Sequence, residues 1–310
     1  MKTFPRHKYF FLGAASVLLL FIFIQATSDG TGIYFSFRKS EDNKQTVAVV
    51  QPIRAVKIPA SATFAGEEVP LDDPEVRERL DRELTVNAYW HSSTILMLKR
   101  ANRFLPVIEP ILKEEGVPDD LKYVCMAESG FDNVVSSAGA SGFWQFIKST
   151  GTVYGLLINE QVDERYNLEK ATHAACRYFI DAKEKTGSWT AAAASYNMGT
   201  AGILKQQANQ QETAYYHLLL NSETSRYVQR IIALKLIHQN PQDFGFNLGQ
   251  EDLYQPLKYS TEVIDSTVNW VNFAKEHNTS YKLLRIYNPW IRDLKLYNSA
   301  RRTFAVKIPS

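Results

Sequence analysis

The chain of 310 residues has only two cysteines, Cys125 and Cys176. Both fall in apolar, helix-patterned surroundings, so the expectation is two buried free thiols rather than a disulfide framework. The six histidines are scattered, and no H-E-x-x-H or C-x-x-C spacing occurs, which leaves no pattern for a metal site. An excess of one charge is also missing. Against 33 Asp and Glu there are 35 Lys and Arg, a formal net charge of +2, and nothing in that balance points to nucleic acid. No cysteine follows the apolar run at residues 9–26, which excludes lipid attachment there. What remains, 45% hydrophobic and 22% charged, is ordinary for a folded chain.

Taken in order, the chain opens with Lys2, Arg6 and Lys8 and then the run 9–26, about eighteen residues, the lower limit for a helix that crosses a bilayer. Ile24-Gln25-Ala26 is a poor cleavage site and the run is longer than most signal cores. Residues 1–26 are therefore expected to be a transmembrane signal anchor, with a cleaved signal peptide as the alternative. The basic flank should stay in the cytoplasm, which places residues 27–310 outside it. Residues 27–72, with Gly30, Gly32, a charged patch at 38–44 and Pro52, Pro59 and Pro70, read as a linker, with a short β piece at 45–50.

From residue 73 the pattern turns helical. Asp73-Pro74-Glu75 is a cap with proline in the first turn, and Val76, Leu80 and Leu84 follow at helical spacing. Further helices are expected at 88–101, 104–116, 119–128, 149–156, 168–185, 189–196 and 225–239, within a helical domain spanning 73–245. After Pro241 the texture changes. Residues 250–310 have β-like ends at 258–263 and 304–308 around helical pieces at 268–277 and 283–287.

The stretch 123–145, YVCMAESGFDNVVSSAGASGFWQ, carries the densest chemistry. Glu128 ends an apolar helix, a run of small residues from Ser136 to Gly142 follows, and Phe143, Trp144 and Phe146 bracket Gln145. An aromatic wall raises a carboxyl's pKa by desolvation, which lets it donate a proton near neutral pH. A glycine-rich turn lets backbone approach a ligand closely. On these grounds the stretch is a candidate sugar site.

Three ordered blocks, Glu128-Ser129, then Ser136 through Gln145, then Ser195-Tyr196-Asn197-Met198-Gly199, resemble the lytic transglycosylases of the goose-type-lysozyme-like superfamily, glycoside hydrolase family 23, and especially its membrane-bound D-type murein transglycosylases. The resemblance implies a mainly α, lysozyme-like helical domain. It also implies cleavage of the β-1,4 bond between N-acetylmuramic acid and N-acetylglucosamine in peptidoglycan glycan strands, a carbon-oxygen lyase reaction that needs no metal or organic cofactor. Glu128 would be general acid and then base, drawing the muramoyl C6 hydroxyl onto C1 to give a 1,6-anhydro sugar. An internal hydroxyl nucleophile removes the need for the second carboxylate of ordinary glycosidases, although spacing leaves Asp132 and Asp163 as candidates for the cleft. By the same resemblance Ser136, Gln145, Tyr196, Asn197 and Glu223 would bind substrate, Ser136 being the matching serine counted back from Gly139 and Glu223 opening an E-T-x-x-Y-V block. Ser129 is expected to cap or pack locally, Trp144 to be either sugar platform or core, and Trp189 to be core. The β-α-α-β order of residues 250–310 resembles a degenerate LysM module, a small α+β glycan-binding fold. A helical appendage packed on the main domain is the alternative. The implied location is the cell membrane, with the catalytic domain in the periplasm.

Three other readings share the substrate. Ser36-Phe37-Arg38-Lys39, Lys185-Thr186-Gly187 and Ser195-Tyr196-Asn197 mimic the motifs of penicillin-binding enzymes, but in the wrong order and without the β pattern that K-T-G needs. A lysozyme-type hydrolase would use water in place of the C6 hydroxyl, and an inactive wall-binding protein would have lost the reaction.

Overall fold

The computed structural model describes residues 53–310. The expected anchor, the β piece at 45–50 and residues 27–52 of the expected linker lie outside the described residues. Among the described residues, ten α-helices and six short strands build a mainly α architecture with a small strand-containing unit at its C-terminal end.

The described end of the expected linker is folded, which corrects that boundary. Strands β1 (Ala62–Phe64) and β2 (Glu67–Val69) form a hairpin whose two-residue turn, Ala65-Gly66, has positive φ at both positions, the geometry that matches strand twist. Phe64 is fully buried in the core. The Glu67 carboxylate accepts from the backbone N–H groups of Trp189 and Thr190 at 2.7 and 2.9 Å. Asp120 accepts from Ala65 N at 2.8 Å and from Lys235 Nζ at 2.7 Å.

Helix α1 (Pro74–Tyr89) starts as its sequence predicts, with Asp73 accepting from the N–H of Glu75 and Val76. Helix α2 (His91–Glu114) departs from expectation, since 88–101 and 104–116 are one continuous helix with Pro106 and Pro110 inside it. Both prolines lie on the exposed side, where water can satisfy the carbonyls they leave unbonded, and the buried stripe Met97, Leu98, Ala101, Leu105, Ile108 and Leu112 runs through unbroken.

A short 3-10 turn then leads into α3 (Lys122–Ser129), and α4 (Lys148–Val153), α5 (Leu168–Thr186), α6 (Trp189–Met198), α7 (Thr200–Gln210) and α8 (Ser222–Gln239) complete the domain. Of these only α7 was not foreseen. Its sequence, TAGILKQQANQ, buries just Ile203 and Gln207 and so shows little apolar period. Cys125 and Cys176 are buried free thiols, as expected.

The C-terminal unit follows the expected β-α-α-β order. Strand β3 (Tyr259–Ile264) pairs antiparallel with β6 (Phe304–Pro309), while β4 (Val268–Asn269) pairs with β5 (Lys295–Leu296). Helices α9 (Trp270–Glu276) and α10 (Tyr281–Tyr287) lie between them in sequence. Trp270, Phe273, Leu284, Trp290 and Val306 make its core, and Val162 and Tyr166 from the helical domain complete that core. Backbone bonds seal the join, Asp163 N to Trp290 O at 3.0 Å and Arg292 N to Gln161 O at 2.9 Å. Among the described residues no helix is long and apolar enough to cross a membrane.

Candidate active site

Glu128 sits in the last turn of α3, which Gly130 ends in the left-handed conformation at φ 57°. Tyr123, Val124, Cys125 and Met126 bury the rest of that short helix, so the acid is carried on a fixed stem. Burial pushes its pKa up to about 7. The Tyr227 hydroxyl, donating to Oε1, and the Arg230 guanidinium pull it down, and the nearby Glu223 carboxylate adds a smaller upward push. A carboxyl at this value is half protonated at neutral pH and can give or take a proton there.

The loop that follows is shaped by its own backbone. Val135 bridges Ser141, Ser141 bridges Phe146, and Gly142 N donates to Val134 O at 3.1 Å. Gly142 has φ 79°, and a Cβ there would sit 1.9 Å from the Arg165 carbonyl oxygen. Only glycine meets both demands. The buried Arg165 side chain clamps the loop from beneath, donating through Nη1 to the carbonyls of Gly139 at 3.0 Å and Phe146 at 3.1 Å. Its other nitrogens form a two-pronged pair with Asp163 at 3.0 and 2.7 Å.

The residues expected to bind substrate fall as follows. Gln145, itself at φ 50°, donates its amide to the carbonyls of Val134 and Gly142 at 2.9 and 2.7 Å. Tyr196 donates to Trp144 O at 2.7 Å and packs its ring on Phe179 and Tyr178, with centroids 5.2 and 5.0 Å away. Burial, and then the Glu128 charge, push its hydroxyl well above the usual range, which places it in the acid's field. Asn197 is exposed and its Oδ1 accepts from Thr224 on α8 at 2.8 Å. Glu223 is exposed in the first turn of α8 and pairs with Arg230 at 3.1 Å.

Ser136 stands apart. Its hydroxyl accepts from Ala140 N at 3.1 Å and locks the loop's own turn, with no hydrogen bond to Glu128. Ser129 does pack locally, donating to Phe143 O at 2.7 Å. Trp144 is core, fully buried with its indole N–H on Thr172 Oγ1 at 2.9 Å, and not a platform. Trp189 is half-buried against the core. The carboxylates left open as partners for Glu128 are ion-paired, Asp132 with Arg100 at 2.8 Å and Asp163 with Arg165.

Sequence reasoning missed Tyr227, Arg230, Glu83 and Arg165. The first two share with Glu223 the spacing i, i+4, i+7, one face of a helix, which was legible once Glu223 was singled out. Glu83, fully buried on α1, accepts from Arg226 at 2.7 Å and Arg230 at 3.3 Å and so anchors the cations behind the acid. No local signal marked it.

A helical domain whose acid ends a short buried helix, beside a glycine-shaped loop and an aromatic wall, is of the lysozyme-like class. Comparison with known proteins narrows this. Residues 106–219 match the transglycosylase SLT domain, and residues 259–310 match the soluble lytic transglycosylase C-terminal LysM-like domain. The chain thus carries a transglycosylase SLT domain followed by a LysM-like module. It is 29% identical over 238 residues to proteins named membrane-bound lytic murein transglycosylase D from two Escherichia coli strains, K12 and O6:H1, covering 74% of this chain and 51% of each relative. The chain therefore spans about half the length of the curated relatives it matches. Tyr227 and Arg230 lie beyond the matched SLT range, yet Tyr227 is the residue that holds the acid.

Proposed function

We propose that this chain is a peptidoglycan lytic transglycosylase that cleaves the β-1,4 bond between N-acetylmuramic acid and N-acetylglucosamine and leaves a 1,6-anhydromuramoyl end. The observation that carries this reading is Glu128, a carboxyl with pKa about 7, while the other acids considered for the cleft, Asp132, Asp163 and Glu223, are each held by an arginine. Two-carboxylate glycosidases need a second free acid as nucleophile or water-activating base. With the substrate's own C6 hydroxyl as nucleophile, one group suffices. Protonated Glu128 gives its proton to the departing glycosidic oxygen, and the resulting carboxylate accepts the proton of the C6 hydroxyl as that oxygen closes on C1. Tyr227 orients the carboxyl through both steps. Gln145 and Asn197 offer amides, and Glu223 a carboxylate, to the sugar's acetamido and hydroxyl groups, while Ser136 and Tyr196 contribute by shaping the loop and the wall. The relatives' name, membrane-bound lytic murein transglycosylase D, agrees with this reading and with an anchor at residues 1–26 that keeps the catalytic domain at the cell envelope.

Mass analysis of the products from purified peptidoglycan tests the reaction. Muropeptides lighter by one water than hydrolytic products are expected. Reducing-end products would mean a lysozyme-type hydrolase, and no soluble product from folded protein would mean a wall-binding protein.

A further inference from the structure

A cavity of about 530 Å³ opens at the seam between the helical domain and the LysM-like module. Glu128, Tyr227, Glu223 and Asn197 are not among its walls, so it does not open onto the acid itself, although Phe143 of the acid's loop lines it. The helical side supplies Phe104, Phe143 and Tyr166, and the module supplies Tyr259, Tyr287 and Trp290. Neither body alone encloses it.

Its chemistry is specific in two ways. Tyr259 and Tyr287 meet edge to face with centroids 6.4 Å apart, forming an aromatic corner, and 36% of Tyr259 and 53% of Ile286 beside it remain exposed. Such walls suit the flat C–H face of a pyranose. Around them stand three bases, Arg103, Lys258 and Lys307, against one acid, Glu169. Lys307 is already held by Glu169 at 2.5 Å and lies 4.8 Å over the Tyr259 ring, and Arg103 donates to the Gln255 carbonyl at 2.9 Å. Lys258 is exposed and has no ion-pair partner among the described residues, so it is left to meet an anion. The volume lies within the range of small-ligand sites, roughly 300–1,000 Å³, and accommodates one or two sugar rings.

We infer that this seam is a second glycan-binding site, taking one or two rings of an acid-bearing, N-acetylated oligosaccharide. The inference rests on the glycan-cleaving reading above and adds to it a grip on the strand away from the scissile bond. Because both bodies form the walls, an occupied seam would also tie the module to the helical domain.

The test uses the full chain and two exposed substitutions, Tyr259→Ala and Lys258→Glu, with melting curves matched to the parent. In a Glu128→Gln background, which leaves glycan uncut, calorimetric titration with a tetrasaccharide of alternating N-acetylglucosamine and N-acetylmuramic acid should reveal two binding events. Tyr259→Ala and Lys258→Glu should each weaken one event about three- to tenfold, the scale of one lost stacking or charged contact, and leave the other unchanged. A single event that neither substitution moves overturns the site. In the active chain, Tyr259→Ala should raise KM for long glycan strands by a similar factor and leave turnover of the tetrasaccharide unchanged. Equal effects on both substrates, or none on long strands, also overturn it. If the parent cuts neither substrate, the functional reading fails, and the titration still decides whether the seam binds glycan.

Discussion

At the scale of single residues the site turns on how the fold treats one proton. Glu128 rises from an ordinary 4.5 to about 7 because burial disfavours its charge. An acid with a raised pKa weakens the fold where it is ionised. Below pH 4.5 it is protonated in both folded and unfolded chains and costs nothing. The cost grows between pH 4.5 and 7 and is complete above that, at most about 3 kcal/mol. Denaturant unfolding of Glu128→Gln should therefore show a gain of up to about 3 kcal/mol at pH 8 and almost none at pH 4, with product formation abolished at both. Activity that needs the protonated acid should fall as pH climbs past 7. Tyr227→Phe removes a bond that favours the carboxylate, so the falling limb of the pH profile should move to higher pH, while kcat drops about tenfold or more from lost orientation. A limb that stays in place would mean that Tyr227 is only packing. Gly142→Ala should be far harsher than its size suggests, because the new methyl meets backbone and no rotamer change relieves it. A loss above about 3 kcal/mol in thermal unfolding is the expectation.

At the scale of elements, part of the candidate site was legible in the sequence. Glu128, Gln145, Tyr196 and Asn197 announce themselves because glycines, aromatics and amides stand at fixed intervals near one another in the chain. Their supports do not, because a clamp such as Arg165 on the loop or Glu83 behind Arg230 joins segments that sequence keeps apart. The single helix α2 was missed for a related reason. Proline is a strong local breaker, and only tertiary burial of the stripe from Met97 to Leu112 overrides it. The hairpin β1–β2 was read as tether because three-residue strands carry almost no periodic signal, and its hold on α6 and α8 runs through Glu67, Asp120 and Lys235. Arg165 offers the clearest test at this scale. Arg165→Met leaves buried Asp163 without its cation, and should cost about 3–5 kcal/mol. Adding Asp163→Asn should recover part of that stability without restoring activity, since Gly139 and Phe146 remain unclamped. Urea unfolding and turnover of the single and double variants check both halves.

At the scale of the whole molecule, one segment of the seam between the two bodies has two duties. Residues 161–166 give Val162 and Tyr166 to the module's core and pair Asp163 N with Trp290 O. The same segment carries the Asp163–Arg165 clamp on the loop beside Glu128. Truncation after residue 255 should therefore lower Tm and increase proteolysis within 134–146. A truncated chain that keeps its Tm and its loop protection would show that the join is incidental.

That shared segment bears on how such a protein can be recombined. A wall-binding unit that hangs from a tether can be exchanged, duplicated or lost without consulting its neighbour. Here the neighbour supplies part of the unit's interior, and the unit backs the strip of chain that steadies the acid's loop. Grafting this module onto another enzyme would demand transplanting residues 157–166 as well, and replacing it with a foreign one would leave Val162 and Tyr166 facing water.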